Sequence, residues 1–454
     1  MKTRHQGNGL GFRPFSLLFL SLFLLFLSHP RARAIPAFSR KYKTSCNTCH
    51  VAFPMLNDFG EAFRRNGFQF PRDDDWFVKD KPVTLGAEAW RDLWPNALWP
   101  TTLPNLPPVS FRVTMGMDQS EGTRDKANFQ APTDVNILAA GTMGEDVSFF
   151  FHQGGGIRYY VQFSNLLEEA LSETLLPRYA LNLKLGLFEP GLLGVSNVRR
   201  ITATPYLSHT AVYSRAGKAG NSFALDRQIG AEAHGILFHR LHYVLGAVNG
   251  NGDGPDNNST KDVYGRLAVK IGGMRFSGEE PEDEEDDGEG GKGDSLFRDR
   301  AYIDNSFTLG AFFWLGRFTA FDSDRNENYD IDFRRVGLDG RLNWWVFDLH
   351  GGVMYGKDDN GLDTNYDIAS TLYFASLRYI PYPWLVATGR YEKVFYRDPG
   401  TKALDDQETG RFVLSATALI RVNLRFTVEG RLNQSLGYPG TEDDALLLRL
   451  DYSF

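Results

Sequence analysis

The feature that most limits how this chain can fold is a strict two-residue alternation in its last ten residues. Leu446, Leu448, Leu450, Tyr452 and Phe454 point one way; Leu447, Arg449, Asp451 and Ser453 point the other. The same period runs through Leu424, Phe426, Val428 and Leu432, which alternate with Arg425, Thr427, Glu429, Arg431 and Asn433. It recurs where Tyr179, Leu181, Leu183, Leu185 and Leu187 alternate with Asn182 and Lys184. Period two marks strands with two different faces. Strands of about ten residues with one apolar face, closing on a terminal aromatic, describe a transmembrane β-barrel. Apolar residues then meet lipid, polar ones line a lumen, and closure leaves no unpaired edge. A soluble β-sandwich shares the period. A propeller would add repeats of about 40 residues, which the chain lacks.

Strand cores read near 109–117, 133–142, 146–152, 157–164, 178–188, 225–238, 240–249, 262–276, 303–320, 331–342, 343–356, 367–380, 383–395, 411–421, 423–433 and 445–454. That predicts about sixteen antiparallel strands, an even number as bacterial single-chain barrels require. Tight connections are expected at His239, Asn343, Pro381-Tyr382-Pro383 and Val422. They alternate with longer polar ones at 249–261, 321–330, 357–366, 396–410 and 434–444. Composition agrees: Gly numbers 46 of 454 residues and aromatics make up 14%. A mean hydropathy of −0.33 excludes a polytopic helical membrane protein. This aromatic content is wrong for a disordered chain, and two cysteines cannot build a disulfide scaffold.

Residues 1–34 read as an export signal. Lys2, Arg4 and Arg13 form a basic start, Leu17 to Leu27 is a Leu/Phe run broken only by Ser21, and Ala32-Arg33-Ala34 is a cleavage site. The run is shorter than the roughly 20 residues that span a bilayer; an uncleaved anchor is the alternative. The segment holds five Lys/Arg and no acid, so its removal takes the net charge from −7 to −12. The mature chain is expected to start at Ile35, in an oxidising compartment beyond the bacterial cytoplasm.

Both cysteines lie in Cys46-Asn47-Thr48-Cys49-His50, the spacing of c-type haem attachment. One helical turn brings Cys46 and Cys49 to one face, where they reach two vinyl groups, and His50 follows as proximal iron ligand. A thioredoxin-like pair would need a βαβ setting, and zinc would need a second ligand pair; neither is present in the sequence. One covalent haem c is therefore expected. For the distal position Met115, Met117, Met143, His152 and several later histidines are candidates, with five-coordinate iron as the other option. Met55 is too close in sequence to His50 to reach the opposite haem face. Pro54 to Arg65 predicts a helix with Pro54 at its first position and Leu56, Phe59 and Phe63 on one stripe. Residues 35–80 are too few for a core of their own, so haem or a scaffold must support them.

Trp94-Pro95, Trp99-Pro100, Pro104 and Pro107-Pro108 make 81–108 an extended tether, with 83–90 as a further strand or part of a plug. Residues 279–289 hold nine acids: a solvated loop, or a docking surface for a basic redox partner.

The stretch from Ile35 to Tyr42, Cys46-x-x-Cys49-His50, Phe53-Pro54-x-Leu56-Asn57-x-Phe59-Gly60 and Phe63 to Gly67 resembles the fused monohaem cytochrome–porins of the bacterial outer membrane. These include outer-membrane iron oxidases. Leu181 to Ser196, with Lys184-x-Gly186-x-Phe188, is more weakly similar to anion-selective porins. The resemblance is specific over residues 35–70 and implies an all-β barrel with a small α-helical haem c segment plugging the lumen or its periplasmic mouth. It carries Cys46, Cys49 and His50 as haem residues. It implies electrons from extracellular Fe(II) or another reductant, passed to a periplasmic c-type cytochrome, with outer-membrane lipid as surroundings and no nucleic acid. Outer-sphere transfer needs no general acid or nucleophile, so no catalytic side chain is expected. The alternative is a porin-type transport channel with a redox-sensing or gating haem plug.

Overall fold

The computed structural model describes residues 36–454 except 72–73, 87–97, 106, 121–126, 168–177, 216–217, 222–224, 280–303, 323–325, 360–366, 398–407 and 437–443. The export signal and most of the acidic segment lie outside the described residues.

Sixteen antiparallel strands form a closed barrel. They are β1 Val109–Ser120, β2 Asn128–Thr142, β3 Val147–Gln153, β4 Ile157–Phe163, β5 Asn182–Phe188, β6 Gln228–Leu237, β7 Leu241–Val248 and β8 Asp262–Gly272. The second half comprises β9 Ser306–Asp322, β10 Glu327–Trp344, β11 Phe347–Asp358, β12 Ile368–Tyr382, β13 Leu385–Arg397, β14 Glu408–Arg421, β15 Leu424–Leu436 and β16 Ala445–Ser453. Each strand pairs with its sequence neighbours, and β16 closes on β1 with Leu448 opposite Met117. Every strand core predicted from the alternation has one observed counterpart.

The two faces separate as the period requires. Leu267, Leu309, Leu338, Leu414 and Leu432 are exposed on the outside. Inside, charged groups pair: Arg335 with Asp358, Arg390 and Arg411 with Glu392, Arg425 with Asp451. Such an exterior is stable against hydrocarbon rather than water. Aromatic rings gather where the tight turns lie: Trp344 stacks on Phe347 and Phe347 on Tyr379, and Tyr382 stacks on Trp384. This is an interfacial girdle.

Several boundaries differ from the sequence reading. Asn343 lies inside β10, and the turn is Trp345-Val346, because Asn343 is an inward residue engaged by the interior. The next tight turn is Pro383-Trp384, with Tyr382 still in β12. The polar connection expected at 321–330 is shorter, because β9 and β10 pair down to Asp322 and Glu327. β5 begins at Asn182, not 178; Tyr179 adopts φ 66° and turns its buried ring inward. Residues 81–108 are not a plain tether, since Val83–Thr84 pairs with Thr102–Leu103 in a small ladder outside the barrel sheet.

The N-terminal segment packs within the barrel. It holds α1 Ala37–Tyr42, a 3-10 turn at Cys46–Thr48, a short ladder of His50–Ala52 with Met55–Leu56, α2 Asp58–Arg65 and α3 Asp74–Phe77. Its contacts reach inward residues around the wall. Ala37 N–H donates to Ser110 Oγ, Gln162 donates to the Arg65 carbonyl, Lys270 Nζ pairs with Asp58, and Arg425 lies over the Phe53 ring. Phe59, Phe63, Phe68 and Phe70 form one core with wall residues Tyr160, Tyr264 and Phe374.

Candidate functional site

The Cys46–His50 turn is shaped by Asn57. The Asn57 N–H donates to the Cys49 carbonyl at 3.0 Å, and its side-chain amide donates to Thr48 O (3.0 Å) and Asn47 O (3.3 Å). Its Oδ1 accepts from Gly60 N at 2.8 Å and so caps α2. One buried residue therefore ties the cysteine turn to the helix after it. This corrects the expected helix start: Pro54 sits in the turn between the two short strands, and the cap at Asn57 sets the helix at Asp58.

The structure tests whether these residues suit a covalent haem. Cys46 and Cys49 are free thiols at the start and end of the 3-10 turn. Burial pushes the Cys49 thiol up to about 12 and raises Cys46 as well, the opposite of the activated thiolate in a redox pair. His50 Nδ1 lies 3.3 Å from the Met55 carbonyl. A carbonyl only accepts, so Nδ1 carries the proton and Nε2 keeps its lone pair. Burial pushes the imidazole down to about 4, which keeps it neutral. A neutral ring with its second nitrogen held by a carbonyl is the usual state of a metal-ligating histidine. The residues would fit a haem c, for which Cys46 and Cys49 would be the attachment points and His50 would supply the iron ligand. Among the described residues, no group of three or more His, Cys, Asp or Glu could hold a metal, so zinc finds no completing ligands.

Strand parity removes two of the distal candidates. Met115 and Met117 pair with the outward residues Leu450 and Leu448, whereas Thr114 faces inward and donates to Asp451. The two methionines therefore face away from the lumen. Met143 lies in the β2–β3 turn, where its carbonyl accepts from Thr101 N. His152 is inward and buried, but its Nε2 is engaged with Asn136 Oδ1 at 2.8 Å. Met55 Sδ accepts from Arg378 Nη1 at 3.1 Å.

Charge locks α2 to its surroundings. Asp58 meets Lys270 (3.0 Å), Arg341 (3.6 Å) and Asn343 (3.2 Å). Burial alone would raise its carboxyl, but Lys270 and Arg341 outweigh it and hold the group well below the usual range. Glu61 meets Arg64 at 3.1 Å and Arg199 at 3.2 Å.

Arg199 belongs to an element that the alternation did not reveal. The β5–β6 connection turns into the lumen and binds the opposite wall. Glu429 accepts from Ala203 N and Thr204 N, both at 2.7 Å, Glu392 accepts from Leu207 N at 2.9 Å, and Arg390 donates to Thr204 O at 2.8 Å. Its near end is held by Glu189, which accepts from Ser196 Oγ (2.6 Å) and Asn197 N (2.9 Å) and pairs with His209 (3.1 Å). The loop and the N-terminal segment thus share the barrel interior. The available signal was the wall itself, whose inward acids, Glu392 and Glu429, lie opposite a connection rich in backbone donors.

The anchors of the acidic segment fall at the tight-turn end: Gly272 pairs with Ser306, and Ser306 with Asn343. Of the acids, only Glu279 is described, near Arg275 and His239.

No family model matches the chain, and no curated protein matches it. Among solved structures, an anion-selective porin from Comamonas acidovorans aligns at a TM-score of 0.49 and 11% identity, covering 76% of this chain and 98% of that one. The outer membrane channel DcaP of Acinetobacter baumannii aligns at 0.49 and 11%, covering 76% and 96%. OmpT of Vibrio cholerae aligns at 0.47 and 8%, covering 76% and 98%.

Proposed function

We propose that this protein is an electron conduit of the bacterial outer membrane. In this reading it accepts electrons from an extracellular donor, Fe(II) above all, through one haem c on Cys46, Cys49 and His50, and passes them to a periplasmic c-type cytochrome. The observation that carries it is the His50 ring, whose Nδ1 is committed to the Met55 carbonyl while Nε2 is left as a lone-pair donor beside two free thiols. Haem supplies a reversible one-electron relay. The chain does the rest. The Cys46 and Cys49 thiols would hold the haem by adding across its two vinyl groups, each thiol proton ending on carbon, so that attachment would need no oxidant. Asn57 holds the attachment turn. Phe59, Phe63 and Phe70 exclude water, and Asp58 and Glu61 fasten the segment to Lys270, Arg341 and Arg199. Placing the relay within the barrel shortens a path that a periplasmic cytochrome could not cover, since the hydrocarbon layer is about 30 Å thick.

The porin-type channel with a redox-sensing plug is the second reading, favoured by a sixteen-strand barrel of a size that commonly holds an aqueous lumen. Conductance separates the two. A conduit filled by the N-terminal segment and the inward loop passes little ion current in planar bilayers, and a channel passes much. The direct test is stopped-flow mixing of oxidised protein with Fe(II), read at the haem absorption band. Rapid reduction supports the conduit; no haem band, or a band that Fe(II) leaves unchanged, refutes it.

The nine acids of 279–289, on a connection anchored at the tight-turn mouth, would steer a basic cytochrome there. Neutralising them should slow transfer to the acceptor at low salt and leave reduction by Fe(II) unchanged. Equal acceptor rates at every salt concentration would leave the segment a solvated loop.

A further inference from the structure

We infer that the recess between the N-terminal segment, the inward loop and the β12–β13 wall is a carboxylate site whose occupant is the propionate edge of the haem, an assignment that rests on the haem reading above. Met55 and Leu56 line one side of the recess, and Arg199, Arg200, Arg341 and Arg378 bring four guanidinium groups to it.

Three of those cations are already matched. Arg199 pairs with Glu61 and Glu189, and Arg341 and Arg378 pair with Asp348. Arg200 differs. It donates to the Asn197 and Ala203 carbonyls and to Asn197 Oδ1, and no carboxylate among the described residues lies within ion-pair distance of it. Its Nε is buried and unpartnered, and so are the hydroxyls of Ser376 and Thr388 on the facing wall. Ser376 is 1% exposed and Thr388 6%. Thr388 lies opposite Arg378 in the ladder, so these wall groups form one patch. Buried polar atoms without partners are costly and rare in folded proteins, and several around one recess point to a missing polar ligand. Burial, then Arg390 and Arg112, push the Arg200 guanidinium down to about 10 against the influence of Glu429. The surroundings therefore ask for negative charge. The only carboxylate among the described lining residues, Glu61, is committed to Arg64 and Arg199.

The link to haem is one of adjacency. His50 pairs with Leu56 in the short ladder and donates to Met55 O, and these two residues border the recess. A porphyrin joined to Cys46 and Cys49 through its vinyl groups presents its two propionates on another edge. An oxyanion dissolved in the lumen has the same chemistry, so the experiment must separate the two sources.

The test uses full-length, haem-loaded protein whose barrel is verified by heat-modifiable gel mobility. The midpoint potential is measured by spectroelectrochemistry between about pH 5 and pH 8, where an unpaired propionate titrates. Wild type should show a flat profile. Arg200→Gln should shift the potential to more negative values, because a positive charge favours the reduced haem, and should introduce a pH dependence. Arg200→Lys should keep most of the wild-type profile, and Ser376→Ala should show a weaker form of the Gln effect. A merely structural Arg200 would leave the profile flat in both variants, which overturns the inference. In a second arm, inorganic phosphate is titrated by 31P NMR. Binding to the haem-free Cys46→Ala, Cys49→Ala protein but not to the loaded one supports the propionate. Equal binding to both assigns the recess to a solute and overturns the inference. Absence of covalent haem stain on wild type overturns the haem reading, and this occupant with it.

Discussion

Gly60 is pressed so closely against Cys49 that a Cβ on Gly60 would lie 2.1 Å from the Cys49 carbonyl oxygen. That carbonyl also accepts the Asn57 N–H at 3.0 Å. The helix after the cysteine turn therefore reaches its position only with no side chain at residue 60. Gly60→Ala should force the turn and α2 apart at a cost of about 1–3 kcal/mol, the usual penalty for overpacking. Asn57→Ala should cost about as much, through the lost cap, the orphaned buried Thr48 carbonyl and the part-buried Asn47 carbonyl. Asn57→Asp should be intermediate, since it keeps the cap and loses both donors. Haem stain per unit of folded barrel on a gel, with thermal melts of the same samples, checks all three. Wild-type values for Gly60→Ala would show that the contact is not limiting.

Acid should loosen the N-terminal segment. Burial alone would raise the Glu61 carboxyl, but Arg199, Arg64 and Arg65 outweigh it and hold the group at about 2 against an ordinary 4.5. A depressed folded-state value means stability that is complete above the unfolded value and lost as pH falls through the folded one. The window is therefore roughly pH 4.5 down to pH 2. The contribution at neutral pH is at most about 3 kcal/mol. Arg199→Ala should move acid unfolding of the segment, followed by tryptophan fluorescence, to higher pH. An unchanged acid midpoint would remove Arg199 from the account.

The exterior should reject charge. Leu414 is 60% exposed at the middle of β14. Leu414→Arg should destabilise the barrel in lipid by about 2–4 kcal/mol, the cost of arginine at the bilayer midplane. Urea unfolding in vesicles, scored by gel mobility without boiling, measures it. A loss below about 0.5 kcal/mol would argue that this face does not meet lipid.

Strand order also fixes which connections share a mouth. Asp405 and Asp443 lie outside the described residues; in sequence they fall between β13 and β14 and between β15 and β16, whereas Val422-Asn423 is the turn between β14 and β15. On whole cells, Asp405→Cys and Asp443→Cys should react with an impermeant thiol reagent, and Val422→Cys should not. The reverse pattern would invert the barrel.

Strands were legible in the sequence because alternation is a local property. A residue two positions along a strand faces the same side whatever the rest of the chain does, so sixteen cores, and the outward face of Leu446 to Tyr452, could be read directly. The pattern Cys46 to His50 was equally local, since its spacing alone sets which groups share a turn. What touches what across the lumen is a different kind of fact. Asp58 finds Lys270, Arg341 and Asn343 only because barrel closure carries strands distant in sequence to one side of α2. Arg199, Arg200 and Thr204 carry no local signal; their partners appear only because the connection folds inward, where Glu429 and Arg390 receive it. The outward position of Met115 and Met117 needed the pairing register with β16, because a register slip of one residue turns every side chain to the other face. Period and spacing are written in the chain; closure, register and the filling of the lumen are set by long-range burial and ion pairing, which no short window of sequence contains.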